Sequence, residues 1–119
     1  MSLPAHPPAE HHQIRAIAGV DAGMKLLLGQ RIVIVGRSSV ANADFRINDP
    51  LSPPYRFDIR WSAELGRYLL NVLSHPNPVF LNDQRCADGT VELADGDVIR
   101  IGRTEIVFER TNVYSSNPV

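Results

Sequence analysis

The stretch Arg31-Ile32-Val33-Ile34-Val35-Gly36-Arg37-Ser38-Ser39 governs the reading of the whole chain. Four β-branched residues in succession, Ile32 to Val35, make a strand that must be buried on both faces or lie in the middle of a sheet. Gly36 closes the run, and Arg37 follows at once with two serines. A rigid strand that delivers a guanidinium and hydroxyls to a loop suits the reading of an anion, so Arg37 and Ser38 are candidate binding residues.

Working outward, the neighbouring segments also read as short strands separated by turn signals. Upstream, Gln13 to Ala18 and Met24 to Leu28 flank Gly19-Val20-Asp21-Ala22-Gly23, whose two glycines suit a tight hairpin. Downstream, Asp44-Phe45-Arg46-Ile47 alternates polar and apolar. Arg56 to Trp61 does the same, with Phe57, Ile59 and Trp61 on one face, where Trp61 is expected in the core, and charges on the other. Between these two strands, Asn48-Asp49-Pro50-Leu51-Ser52-Pro53-Pro54 fits neither a helix nor a central strand.

Ser62 to Leu73 has partly helical spacing, but Gly66 lies inside it. Glu64-Leu65-Gly66 as a turn leading into a strand over Tyr68 to Leu73 matches the surrounding pattern better. Val79 to Leu81, Thr90 to Leu93, Val98 to Gly102 and Thr104 to Glu109 complete the strands, with Asn82-Asp83 and Ala94-Asp95-Gly96-Asp97 as turns. Asp95-Gly96-Asp97 lacks the further oxygen ligands of a calcium loop and is read as a hairpin turn. Many short strands with frequent turns predict an all-β sandwich or barrel.

Composition narrows the function. The 119 residues fit one domain, folded over residues 13–110, between a proline- and histidine-rich leader (1–12) and a polar tail (111–119). The histidines of that leader, His6, His11 and His12, are expected to be solvated. A net charge of -1 withholds the basic excess that a nucleic-acid module needs. No apolar run is long enough for insertion into a bilayer, and the first residues do not form a signal peptide. The single cysteine, Cys86, suits a reducing compartment. The expected location is cytoplasmic, either alone or as the cytosolic domain of a larger or membrane-anchored protein; the oligomeric state stays open. Neither a P-loop ending after Gly29 nor a Gly-x-Ser-x-Gly elbow occurs. Cys86 and His75 form a nucleophile–base pair only on paper, since nothing local activates the thiol. Binding without a cofactor or metal is therefore expected, rather than catalysis.

Five motifs now stand in order: Gly19-Val20-Asp21-Ala22-Gly23; Val35-Gly36-Arg37-Ser38-Ser39 with Ala43 to Ile47; Leu51-Ser52; Asn77-Pro78-Val79-Phe80-Leu81-Asn82-Asp83; and Leu93-Ala94-Asp95-Gly96-Asp97-Val98-Ile99-Arg100-Ile101-Gly102. Their sequence resembles that of a divergent forkhead-associated (FHA) domain. The resemblance implies an FHA/SMAD-like β-sandwich of two mainly antiparallel twisted sheets, with binding loops at one end. It also implies a protein partner carrying phosphothreonine, in signalling or assembly. Arg37 would then pair with the phosphate, Ser38 and Ser52 would offer hydroxyls, and Asn77 would hold the peptide backbone.

Other readings of the same residues stay open. Arg37 as a strand-end arginine would be held by Asp44 or Asp49, Ser52 would shape a turn, and Asn77 would brace adjacent loops. Ser52 is followed by Pro53-Pro54-Tyr55, where the family usually has a polar or basic residue and then a histidine, and Pro76 and Pro78 flank Asn77. These prolines remove backbone donors from the loops. They support the alternative of a degenerate FHA-like scaffold domain, as in a bacterial secretion apparatus, that docks a partner without phosphate.

Overall fold

The computed structural model describes residues 11–37, 43–48, 56–72, 78–86 and 89–111. Within them lie eleven strands: β1 (His11–Ala18), β2 (Lys25–Leu28), β3 (Val33–Arg37), β4 (Phe45–Ile47), β5 (Arg56–Ser62), β6 (Arg67–Val72), β7 (Val79–Leu81), β8 (Gln84–Cys86), β9 (Gly89–Glu92), β10 (Val98–Ile101) and β11 (Thr104–Thr111). They form two stacked sheets, ordered β2-β1-β11-β10-β7-β8 and β4-β3-β5-β6-β9. The β3–β4 pair is parallel, and the other registers are antiparallel. This is a β-sandwich of two mainly antiparallel sheets, one of the two all-β forms that the strand pattern allowed and the one that the FHA resemblance implied.

The core follows from the alternation of side chains along each strand. Val33, Val35, Phe57, Ile59 and Leu70 from one sheet meet Ile14, Ile99, Ile106 and Phe108 from the other, and all are buried. Burying a side chain of the size of Phe57 or Phe108 contributes on the order of 1.5–3 kcal/mol. Thr104, Ile106 and Phe108 do share the inward face.

The decisive strand is shorter than its apolar run. Val33 is opposite Ile59, the first rung with β5, and β3 lies between β4 and β5 as an inner strand. Ile32 precedes the strand and is 44% exposed, so the run of β-branched residues is not buried along its whole length. Asp58 departs in the other direction. It sits on the outer face of β5, yet it is 8% exposed beneath Arg60, which reaches back with hydrogen bonds of 3.1 and 3.2 Å. Asn71 on β6 donates a further bond at 3.2 Å. A carboxylate so far out of water needs such partners to offset its desolvation.

Ser62 and Gly66 settle the ambiguous segment. The Ser62 hydroxyl accepts from Leu65 N at 3.1 Å, and Gly66 N donates to Ser62 O at 2.7 Å. Gly66 has φ +65, a left-handed conformation that side chains resist, and so it closes a β5–β6 hairpin rather than interrupting a helix. Asn82 and Asp83 take φ of 50° and 68° in the expected β7–β8 turn.

Other differences have local causes. β1 begins at His11, before Gln13, and the ring of His12 stacks on Phe108 at 5.0 Å, so His12 is not simply solvated. Trp61 is half-buried at the core margin, edge-on to Tyr68 at 5.0 Å. The turn over Asp95-Gly96-Asp97 joins β9 of one sheet to β10 of the other, so it is a corner between sheets and not a hairpin. It is closed by Asp97, which accepts from Ala94 N at 2.8 Å. β8 has no counterpart in the sequence reading, because Gln84-Arg85-Cys86 shows no apolar alternation. No helix among the described residues is long and apolar enough to cross a membrane.

Candidate functional site

The registers fix which strand ends share one end of the sandwich. In the five-stranded sheet Gly36 is opposite Arg56, Phe57 opposite Val72, and Val72 opposite Gly89. The exits of β3 and β6 therefore lie beside the entries of β5 and β9. Because β4 runs parallel to β3, with Arg37 opposite Ile47, β4 also exits here. In the other sheet Val79 is opposite Cys86, Arg100 opposite Phe80, Ile101 opposite Thr104, and Ala18 opposite Glu105. The exits of β1, β8 and β10 and the entries of β7 and β11 consequently share one end of this sheet, and bonds from Asn48, after β4, to Asp21, after β1, put it at the same end of the sandwich. Residues 38–42, 49–55 and 73–77 all depart from strand ends gathered there.

Arg37 is the last residue of β3 and its backbone pairs with Ile47. Its side chain, and the whole of Ser38, Ser52 and Asn77, lie outside the described residues. So do Asp49 and His75, which entered the alternative readings of Arg37 and Cys86.

Asp44, the other carboxylate considered for Arg37, has two partners among the described residues. Its Oδ2 accepts from Ile34 N at 2.9 Å, and its Oδ1 accepts from Arg31 Nη1 at 2.9 Å. Asp44 N in turn donates to Ile34 O at 2.8 Å. Asp44 thus clamps the entry of β4 against β3, upstream of Arg37. The bond from the Ile34 amide, and then that from Arg31, hold its carboxyl below the ordinary value. A depressed folded-state value stabilises the fold above the unfolded value, about 3.9 for aspartate, and the benefit is lost as pH falls through the folded value. Asp44→Asn is therefore expected to unfold at lower denaturant concentration than the wild type at pH 7. The gap should close as the pH drops below about 3.9, and a gap of constant size down to pH 2 would show that the carboxylate charge is not responsible.

Sequence reading missed the connection that ties the two sheets together at this end. Asn48, the residue after β4, donates from its backbone N to Asp21 Oδ2 at 2.7 Å and from Nδ2 to Asp21 Oδ1 at 2.8 Å. Asp21 lies in the β1–β2 hairpin, whose shape is set by Gly23 N to Ala16 O at 2.7 Å and Met24 N to Asp21 O at 3.0 Å. Gly19 brings this hairpin against the start of β11. At φ +100, a Cβ on Gly19 would stand 3.0 Å from Thr104 Oγ1 and 3.1 Å from Thr104 Cα. The partners Asp21 and Asn48 are 27 positions apart, and no local pattern links them.

Cys86 lies at the same end, half-buried and free. Burial pushes its thiol up, against a smaller lowering by a hydrogen bond from the backbone of Leu81. That is the opposite of what a nucleophile needs. Among the described residues no group of histidine, cysteine, aspartate and glutamate is arranged to hold a metal ion.

Comparison with known proteins agrees with this geometry. A family model described as the FHA domain matches residues 33–102, more than half of the chain. No curated protein matches the chain in sequence. Among solved structures, one similar chain is an FHA domain studied for phosphothreonine-dependent interactions. It is 28% identical with a TM-score of 0.66, and the match covers 87% of this chain and 99% of the other. Another is the FhaA FHA domain in complex with the intracellular domain of Rv3910, 29% identical, TM-score 0.64, covering 82% and 99%. The cytoplasmic domain of the T3SS sorting platform protein PscD from P. aeruginosa shares the fold at 19% identity and TM-score 0.66, covering 83% and 79%.

Proposed function

The chain belongs to the FHA-domain family and is a protein-interaction module, and from that premise we propose that it binds phosphothreonine-containing segments of a partner protein. The binding residues of this reading are Arg37, Ser38, Ser52 and Asn77. Arg37 pairs with the phosphate through charge-assisted, forked hydrogen bonds, the two serine hydroxyls donate to its oxygens, and the Asn77 amide holds the peptide backbone. The observation that supports it most is the gathering of strand ends: β3 ends on Arg37 where the chain also departs toward Ser52 and toward Asn77. A sheet behind these segments fixes the points from which they start. The similar FHA domain studied for phosphothreonine-dependent interactions adds a precedent within the family.

A second reading is favoured by Pro53, Pro54, Pro76 and Pro78. In it the same end docks a partner without phosphate. One experiment separates the two. Phosphothreonine peptide libraries are titrated against the protein, each peptide beside its unphosphorylated twin. The first reading expects at least one peptide to bind about tenfold or more tightly when phosphorylated, as about 1.4 kcal/mol of charge-assisted contact would give. If every pair binds equally, phosphate recognition is wrong and phosphate-independent docking takes its place.

A further inference from the structure

The six-stranded sheet ends on β2, and no strand among the described residues covers the far side of β2. The bond from Ala16 N to Met24 O, 2.8 Å, sets the phase of the β1–β2 ladder. Along such a strand, backbone groups turn alternately toward one neighbour and the other. Leu26 and Leu28, opposite Ile14 and His12, therefore direct theirs to β1. Lys25 and Leu27, opposite Arg15 and Gln13, turn their N–H and C=O groups toward the open edge. The side chains alternate in step: Leu28 is buried and Leu26 half-buried, whereas Lys25 and Leu27 are exposed on the outer face. Of the five exposed large hydrophobic residues among those described, Ile17, Val20 and Leu27 belong to this one hairpin, which marks it as a contact surface.

The charge on this edge is unmatched. Lys25 makes no ion pair among the described residues, and Glu109, the carboxylate within its field, is held by Arg15 at 2.7 and 3.0 Å and by Gln13 at 2.8 Å. A lysine on an edge strand discourages pairing unless the incoming strand brings a carboxylate to it. A second copy of the chain brings none, since antiparallel pairing of β2 with β2 sets Lys25 against Lys25, Leu27 or Gly29. The other edges differ: Glu92 of β9 is taken by Arg67 at 3.3 Å, and β4 and β8 are three residues long. We propose that the β2 edge is a second docking surface, apart from the loop end, which takes an extended segment of a partner protein as an added strand. That segment sets a carboxylate opposite Lys25 and an apolar side chain opposite Leu27. The two lie two positions apart on one face, so a further apolar residue stands between them beside Leu26. Main-chain bonds supply the affinity of such strand addition, and alternate side chains supply its selectivity.

The test uses the full chain and two end-capped peptides at millimolar concentration, Thr-Leu-Val-Glu-Val-Thr and the same peptide with lysine for glutamate. Amide exchange along β2 is read beside affinity. In the free protein the amides of Leu26 and Leu28 should be protected, and those of Lys25 and Leu27 should exchange quickly. The glutamate peptide should protect Lys25 and Leu27 and bind at least about threefold more tightly than the lysine peptide. Lys25→Glu should reverse that preference. Leu27→Pro removes an outward N–H and no bond to β1, so it should abolish binding of both peptides while Leu26 and Leu28 stay protected. The proposal is overturned if neither peptide protects the Lys25 and Leu27 amides, or if Lys25→Glu leaves the preference between the peptides unchanged. It is equally overturned if those amides are already protected without peptide. Protection that grows with protein concentration would assign the edge to a second copy, and protection independent of concentration would assign it to the chain itself.

Discussion

Alanine in place of Arg37 is expected to weaken binding of a phosphothreonine peptide by about 10- to 150-fold and to leave its unphosphorylated twin untouched. The magnitude follows from hydrogen bonds to a charged group, worth roughly 1.5–3 kcal/mol each in net terms, at 1.4 kcal/mol per tenfold. The effect should be confined to binding. Arg37 is the terminal residue of β3, after the buried Val33 and Val35, and its replacement is expected to shift stability by no more than about 0.5 kcal/mol. Lysine at the same position retains charge but not the planar fork, and should fall between wild type and alanine. Raising the salt concentration should erode the wild-type preference and leave the alanine variant nearly unchanged. Partner binding that survives Arg37→Ala in full would favour phosphate-independent docking at the same end.

The parts of the molecule that were legible in the sequence are those governed by local alternation. Phe57 and Ile59, or Thr104, Ile106 and Phe108, declare an inward face because every second side chain must enter the core. The Gly36-Arg37 step was legible only in part: β3 does not close at Gly36 but runs through it to Arg37, because Gly36 is paired on both sides, with Arg46 and Arg56. What escaped depends on contacts across the fold. β8 is a strand because β7 offers it an edge, with Phe80 opposite Arg85, and its own residues have no apolar face. Asp58 alternates as an exposed residue should, yet Arg60 and Asn71 cover it. Asp21 and Asn48 look like ordinary turn residues until two sheets bring them together. Asp58, Asp21 and Asn48 are thus of one kind: polar side chains whose partners are chosen by tertiary structure. Residues of that kind, Asp21 and Asn48 among them, also join the sheets at the end from which 38–42, 49–55 and 73–77 depart, which is why the strands were easier to read than that end.

Phe57 carries the largest expected effect on stability, and it separates folding from recognition. Its side chain is completely buried, and on β5 it stands opposite Val35 on one side and Val72 on the other. Truncation to alanine removes a ring from the middle of the five-stranded sheet and leaves a cavity that three strands would have to close. The expected loss is about 3–5 kcal/mol. Against a total of roughly 5–15 kcal/mol for a domain, that is enough to leave the variant marginal at 37 °C, with a melting midpoint lower by more than about 10 °C. Leucine at the same position should recover much of the difference, because most of the apolar volume returns. Phe57 also follows Arg56, which is paired with Gly36 directly before Arg37, so a loosened β5 loosens the strand end that bears the arginine. Peptide binding by Phe57→Ala should consequently fall in proportion to the unfolded fraction and return on cooling to a temperature where the fold is intact. Arg37→Ala should show the converse, an unchanged denaturation midpoint with a binding defect that cooling does not repair. A Phe57→Ala midpoint within two or three degrees of the wild type would mean that the two sheets hold together elsewhere than at the β3–β5–β6 centre.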